Sequence, residues 1–265
     1  MRCNSQEGRE NMAFYQFALP SERLGFPVEM CAYLPEGEGE MCVLWLLHGA
    51  NSDCTEWFAQ TSLQRYLADR RLAVITVSTY NGFYVNMQYG AAYADYLEKE
   101  WIDSVRSLFP CLPSGRDKNF LAGASMGGFG ALRLAVNRPD LFSKVGSFAG
   151  SIEMPTIVER YQRGIQPGGE DFNWAFGGYE NMINNSNDVI YMARQCVQDG
   201  RMPRIYMVCG TEDFGYALNL MARDDLRLSG ADVFWHERDG IHSYDCWDPE
   251  LPLFLDWLED KEAGE

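Results

Sequence analysis

The chain has 265 residues, with 22 Lys and Arg against 38 Asp and Glu, a formal net charge of −16. Hydrophobic residues at 46% and charged residues at 23% exclude a disordered chain and supply enough apolar side chains for a real core. A field that negative repels phosphate backbones and no basic patch opposes it, so no nucleic-acid partner is expected.

No apolar run approaches the roughly 18 residues of a membrane span, so no membrane association is expected. Segment 1–14 is polar and has no apolar stretch like that of a signal peptide. The eight cysteines form no C-x-x-C and no zinc spacing with a histidine, so no metal site is expected. The expectation is a protein of the reducing cytoplasm. Segment 1–11 reads as a loosely ordered extension, and the whole of 1–265 as one domain.

In chain order, Phe14–Leu19 and Val28–Leu34 read as an antiparallel edge hairpin with a turn near Gly25. Continuous apolar runs then mark strands buried on both faces. These are Cys42–Leu47, Leu72–Val77, Lys118–Ala122, Lys144–Phe148 and Arg204–Cys209, with the alternating run Asp232–Glu237 as the last strand. Helical patterns separate them over 63–70, 92–108, 126–136, 188–198 and 216–228, and a final helix starts near Leu251. Strands alternating with helices predict an α/β fold with a mostly parallel sheet. Between Gly150 and Asp188 the chain reads as long and irregular, with the pairs Gly168-Gly169 and Gly177-Gly178. A loop of that length in a compact domain is rare unless it covers a site, so 151–187 reads as a small cap.

Gly123-Ala124-Ser125-Met126-Gly127 is G-x-S-x-G between an apolar strand and a helix. That context sets a serine on a tight turn at a helix N-terminus, with its hydroxyl lifted clear of the backbone. A serine needs a base, and the base needs an orienting carboxylate. Only three histidines exist. His48 reads as a packing residue and His236 lies in the last strand. His242 lies in the loop beyond it, where a base can reach an elbow serine. For the acid, Asp213 follows the strand Ile205–Cys209 on its turn, with neighbouring Glu212 as close competitor. An oxyanion needs two backbone N–H donors, which Met126 and Ala50 supply from the elbow and from the loop after Leu47.

Leu46-Leu47-His48-Gly49-Ala50 with Trp57, Asn81–Tyr84 with Tyr89-Gly90, Gly123–Gly130, Gly210–Asp213 and His242 with Trp247 together resemble the Putative esterase family of α/β-hydrolases. This group holds esterase D (S-formylglutathione hydrolase), antigen-85-type, feruloyl and tributyrin-type acetyl esterases, and the chain is most similar to the last. The resemblance covers about Met12 to Leu258. It implies an α/β-hydrolase fold, no cofactor, and a Ser–Asp–His triad mapping onto Ser125, Asp213 and His242. One departure is the base segment His-Ser-Tyr-Asp-Cys-Trp, which lacks the acidic-then-Trp pair usual beside the histidine. Hydrolysis of short-chain esters of sugars or small aromatic alcohols follows as the expectation, with Trp57, Tyr84 and Tyr89 as substrate contacts and a homo-oligomer by analogy. The same triad would serve a thioesterase acting on S-formylglutathione, a feruloyl esterase or an acyltransferase. A non-catalytic binding protein on this fold usually lacks a triad residue or an elbow glycine, and none is missing here.

Overall fold

Unbroken apolar runs become strands because a strand covered on both faces has no use for polar side chains. The computed structural model describes residues 12–37, 39–165 and 169–261, and the expected N-terminal extension 1–11 lies outside them. One sheet contains β1 (Met12–Pro20), β2 (Pro27–Pro35), β3 (Cys42–Leu47), β4 (Leu72–Val77), β5 (Asn119–Ala124), β6 (Lys144–Phe148), β7 (Arg204–Gly210) and β8 (Val233–Arg238). Their order across it is β1-β2-β4-β3-β5-β6-β7-β8. β1 and β2 form the expected hairpin, and β2 also runs antiparallel to β4. From β4 to β8 every neighbouring pair is parallel. This is the α/β-hydrolase fold.

Side chains alternate across each strand and so divide between two cores. In β3, Val43, Trp45 and Leu47 face a core shared with Leu97, Trp101, Phe129 and Leu132. Leu44 and Leu46 face the other, closed by Trp57, Leu251, Phe254 and Leu258. Full burial of a leucine such as Leu44 or Leu46 contributes about 1.5–3 kcal/mol. The helix expected over 92–108 forms as Tyr93–Tyr96, Leu97–Trp101 and Ile102–Leu108, with a π-helical middle. That middle brings Trp101 edge-on to Trp45, ring centroids 4.9 Å apart. Among the described residues no helix is long and apolar enough to cross a membrane.

Two placements decide where chemistry can occur. β4 lies on one side of β3 and β5 on the other, so the strand order reverses at β3. Leu47 pairs with Gly123, which sets the loops after β3 and β5 side by side at the C-terminal edge of the sheet. Open parallel sheets bind ligands in the crevice at such a reversal.

The second placement concerns 151–187, which is not the structureless loop that the sequence suggested. It contains helices Met154–Gln162 and Glu170–Phe176 and a 3-10 turn at Tyr179–Asn181. Met154, Ile157 and Val158 are buried at helical spacing behind Pro155 at the helix start. Gly168 lies outside the described residues, and the other glycines there mark helix ends rather than loop: Gly169 precedes the second helix and Gly177 ends it, both with left-handed backbone. Phe172 and Phe176 of that helix pack on Phe83, with centroids 5.2 and 5.3 Å away.

Candidate active site

At the end of β5 the chain turns sharply into helix Met126–Asn137, and Ser125 on that turn has φ 55° and ψ −119°. A non-glycine residue at positive φ is strained, and here the surroundings enforce it. A Cβ on Gly123 would lie 2.3 Å from the Gly127 carbonyl oxygen, and one on Gly127 would lie 2.5 Å from that of Leu47. Backbone cannot yield as a side chain tip can, so the G-x-S-x-G glycines are steric requirements. Gly127→Ala is expected to destabilise the fold by about 3 kcal/mol or more. A urea unfolding midpoint equal to wild type would contradict this.

The Ser125 N–H donates to Phe148 O at 2.8 Å, which fixes the turn against β6. Its Oγ lies 2.8 Å from His242 Nε2. His242 Nδ1 lies 2.7 Å from Asp213 Oδ2. The Asp213 side chain is fully buried. Its second oxygen accepts the Gly215 N–H at 2.7 Å. A buried carboxylate that accepts a hydrogen bond from Nδ1–H keeps the ring proton on Nδ1 and leaves Nε2 as an acceptor facing the serine hydroxyl. Two backbone bonds bring acid and base loops together, Thr211 N–H to Arg238 O at 2.8 Å and Glu212 N–H to Gly240 O at 3.0 Å. Glu212, the competing acid, is exposed. The imidazole of His242 is flanked by Phe214, centroid 4.5 Å away, and by Trp247 edge-on at 5.0 Å.

The other two histidines are occupied elsewhere. His48 is buried, with Nε2 accepting the Thr79 N–H at 3.0 Å and Nδ1 2.6 Å from Gly49 O. Burial holds its pKa below the ordinary imidazole value, so it stays neutral. His236 Nδ1 lies 2.6 Å from Glu250, a carboxylate shared with Arg238.

Ala50 and Met126 line the same cavity as Ser125 and His242. Neither backbone N–H has a hydrogen-bond partner among the described residues. Three side chains hold the loop that presents Ala50. Glu56 accepts the Gly49 N–H at 2.7 Å. The Trp57 indole donates to Leu47 O at 2.8 Å, and the Tyr84 hydroxyl to His48 O at 2.7 Å. Trp57 and Tyr84 are each only 1% exposed, so neither can offer a ring to substrate. The expectation that they contact substrate is corrected: each buried ring has spent its one polar group on a loop carbonyl. Tyr89 is likewise outside the cavity. Its side chain is 70% exposed and its N–H donates to Trp174 O at 2.9 Å, tying its loop to the cap.

The cavity measures about 540 Å³. Phe83, Ile157, Phe172 and Leu218 give it apolar walls, and Arg160, Asp171 and Asn219 give it polar ones. The cap helices and the first turn of helix Tyr216–Leu228 thus both contribute to its wall.

The family model described as Putative esterase matches residues 21–258. The chain belongs to the Putative esterase family. As a member, it is a carboxylic ester hydrolase. An acetyl esterase of Caldicellulosiruptor saccharolyticus is 27% identical over 81% of this chain and 82% of that protein. The S-formylglutathione hydrolase FrmB of Staphylococcus aureus superposes with a TM-score of 0.82 at 28% identity, over 94% of this chain and 99% of that one. FphF, a fluorophosphonate-binding serine hydrolase of the same organism, gives 0.82 at 29% identity, over 93% and 98%.

Sequence reading missed most of what surrounds the serine of this esterase. Glu56 had one available signal, an acidic residue in the first helical turn just after the loop it anchors. Phe83 lay in the Asn81–Tyr84 stretch already singled out, whereas Ile157, Phe214, Leu218 and Asn219 had no signal, because they reach the cavity from two segments far apart in sequence.

Proposed function

We propose that this esterase cleaves short-chain acyl esters through an acyl-enzyme on Ser125. His242 removes the Ser125 proton as Oγ attacks the ester carbonyl, and the N–H groups of Ala50 and Met126 receive the oxyanion. His242 then protonates the departing alcohol. Water, activated by the same imidazole, attacks the acyl-enzyme and releases the acid. Asp213 holds the ring in the tautomer that both steps need. The observation that carries this reading is the unbroken chain from Asp213 to His242 at 2.7 Å and on to Ser125 at 2.8 Å, at the wall of the cavity. The named acetyl esterase among the relatives supports a short acyl group.

The S-formylglutathione hydrolase fold match favours a thioesterase as second reading, since the same triad serves both. A series of 4-nitrophenyl esters from acetate to octanoate, run beside S-formylglutathione, separates them. The expected result is a maximum kcat/KM between acetate and butyrate. Turnover of the thioester far above that of every oxygen ester would transfer the assignment to the second reading. The cytoplasm is proposed as the compartment, in keeping with seven described cysteines that are all free thiols.

A further inference from the structure

Two polar side chains of the cavity wall, Asn219 and Arg160, take no part in the triad. Asn219, 2% exposed, sits in the first turn of helix Tyr216–Leu228. Its Nδ2 donates to Gly215 O at 3.1 Å, while its buried Oδ1 has no partner among the described residues. An acceptor taken out of water and left unpaired is costly, so its retention at a ligand cavity points to a donor that arrives with the ligand. Arg160 lies one turn beyond Ile157 on the cap helix Met154–Gln162, so both face the cavity. Its guanidinium makes no ion pair with a described carboxylate, whereas nearby Arg163 pairs with Glu159 at 2.7 Å. An uncommitted cation is notable in a chain that carries 38 acidic residues against 22 basic ones. Asp171, the other charged wall residue, is engaged by Asn81 Nδ2 at 3.1 Å.

We propose that Arg160 and Asn219 form a polar subsite selecting esters that carry a carboxylate together with an N–H or O–H donor. Arg160 takes the carboxylate and Asn219 Oδ1 accepts from the donor. The substrate class is then an acylated hydroxy-acid or amino-acid derivative rather than a plain alkyl ester. The cation also offsets the repulsion that a net charge of −16 exerts on an anionic substrate. This proposal rests on the esterase reading of Ser125 and adds the identity of the group bound beside it.

The test compares acetate release from N,O-diacetylserine and from its neutral carboxamide, which share the scissile ester and the amide N–H. Wild-type enzyme is expected to favour the carboxylate, and Arg160→Gln to lower that kcat/KM ratio about ten- to hundredfold. A ratio unmoved by Arg160→Gln overturns the subsite. 3-Acetoxypropanoate keeps the carboxylate but lacks the donor, and its kcat/KM in wild type is expected to be about three- to tenfold lower than that of N,O-diacetylserine. Equal values would remove Asn219 from the subsite. Failure of wild-type enzyme to hydrolyse even 4-nitrophenyl acetate would overturn the esterase reading itself, an outcome distinct from an unchanged ratio.

Discussion

Ser125→Ala is expected to lower kcat/KM for 4-nitrophenyl acetate by about four to six orders of magnitude, with the fold intact. Loss of Oγ removes the atom on which the acyl group is carried, and no neighbouring nucleophile replaces it. Among the described residues that line the cavity, Ser151 carries the only other hydroxyl. Ser151 lies outside the turn, and its N–H is bonded to the Ser125 carbonyl. Alanine has the same backbone preferences as serine within tenths of a kcal/mol at such a site, so thermal unfolding should stay near wild type. Activity within tenfold of wild type would mean that the chemistry lies elsewhere.

Asp213→Asn is expected to lower kcat by about two to four orders of magnitude. The asparagine amide can turn its N–H₂ toward His242 Nδ1, which forces the ring proton onto Nε2. The imidazole would then donate to Ser125 where it must accept. Charge loss adds to this, because the buried Asp213 side chain no longer stabilises the imidazolium formed during attack. Glu212→Gln serves as the comparison. Glu212 is exposed and contributes only its backbone N–H to Gly240 O, so this substitution is expected to keep kcat within about twofold. Equal losses in the two variants would mean that the acid has been misassigned.

Much of the fold was legible because the central strands are covered on both faces. Cys42–Leu47 and Leu72–Val77 read as unbroken apolar runs, and the structure begins and ends β3 and β4 at those residues. The serine turn was legible for a steric reason, since contacts near 2.3 Å leave no alternative to glycine at 123. The choice between Asp213 and Glu212 was not, because two adjacent carboxylates differ only in which one the turn buries. The cap misled because its glycines cap helices and because only two or three buried residues per helix carry the periodic signal. Trp57 and Tyr84 misled in a different way. Both follow strands whose C-terminal ends meet at the site, but position along the chain does not say whether a ring faces a cavity or hangs beneath a carbonyl. Arg160 passed unnoticed because a lone cation on a helical face reads as ordinary surface until a cavity is seen beside it.

The central claim is that Ser125 is the nucleophile which His242 activates. A fluorophosphonate probe with intact-mass detection and peptide mapping tests it most directly, because the reagent reports an activated serine whatever the natural ester is. The prediction is one adduct per chain, mapped to the peptide containing Ser125, absent in Ser125→Ala and strongly slowed in His242→Ala. A folded wild-type protein that takes up no label, or takes it up on another residue, would contradict the claim.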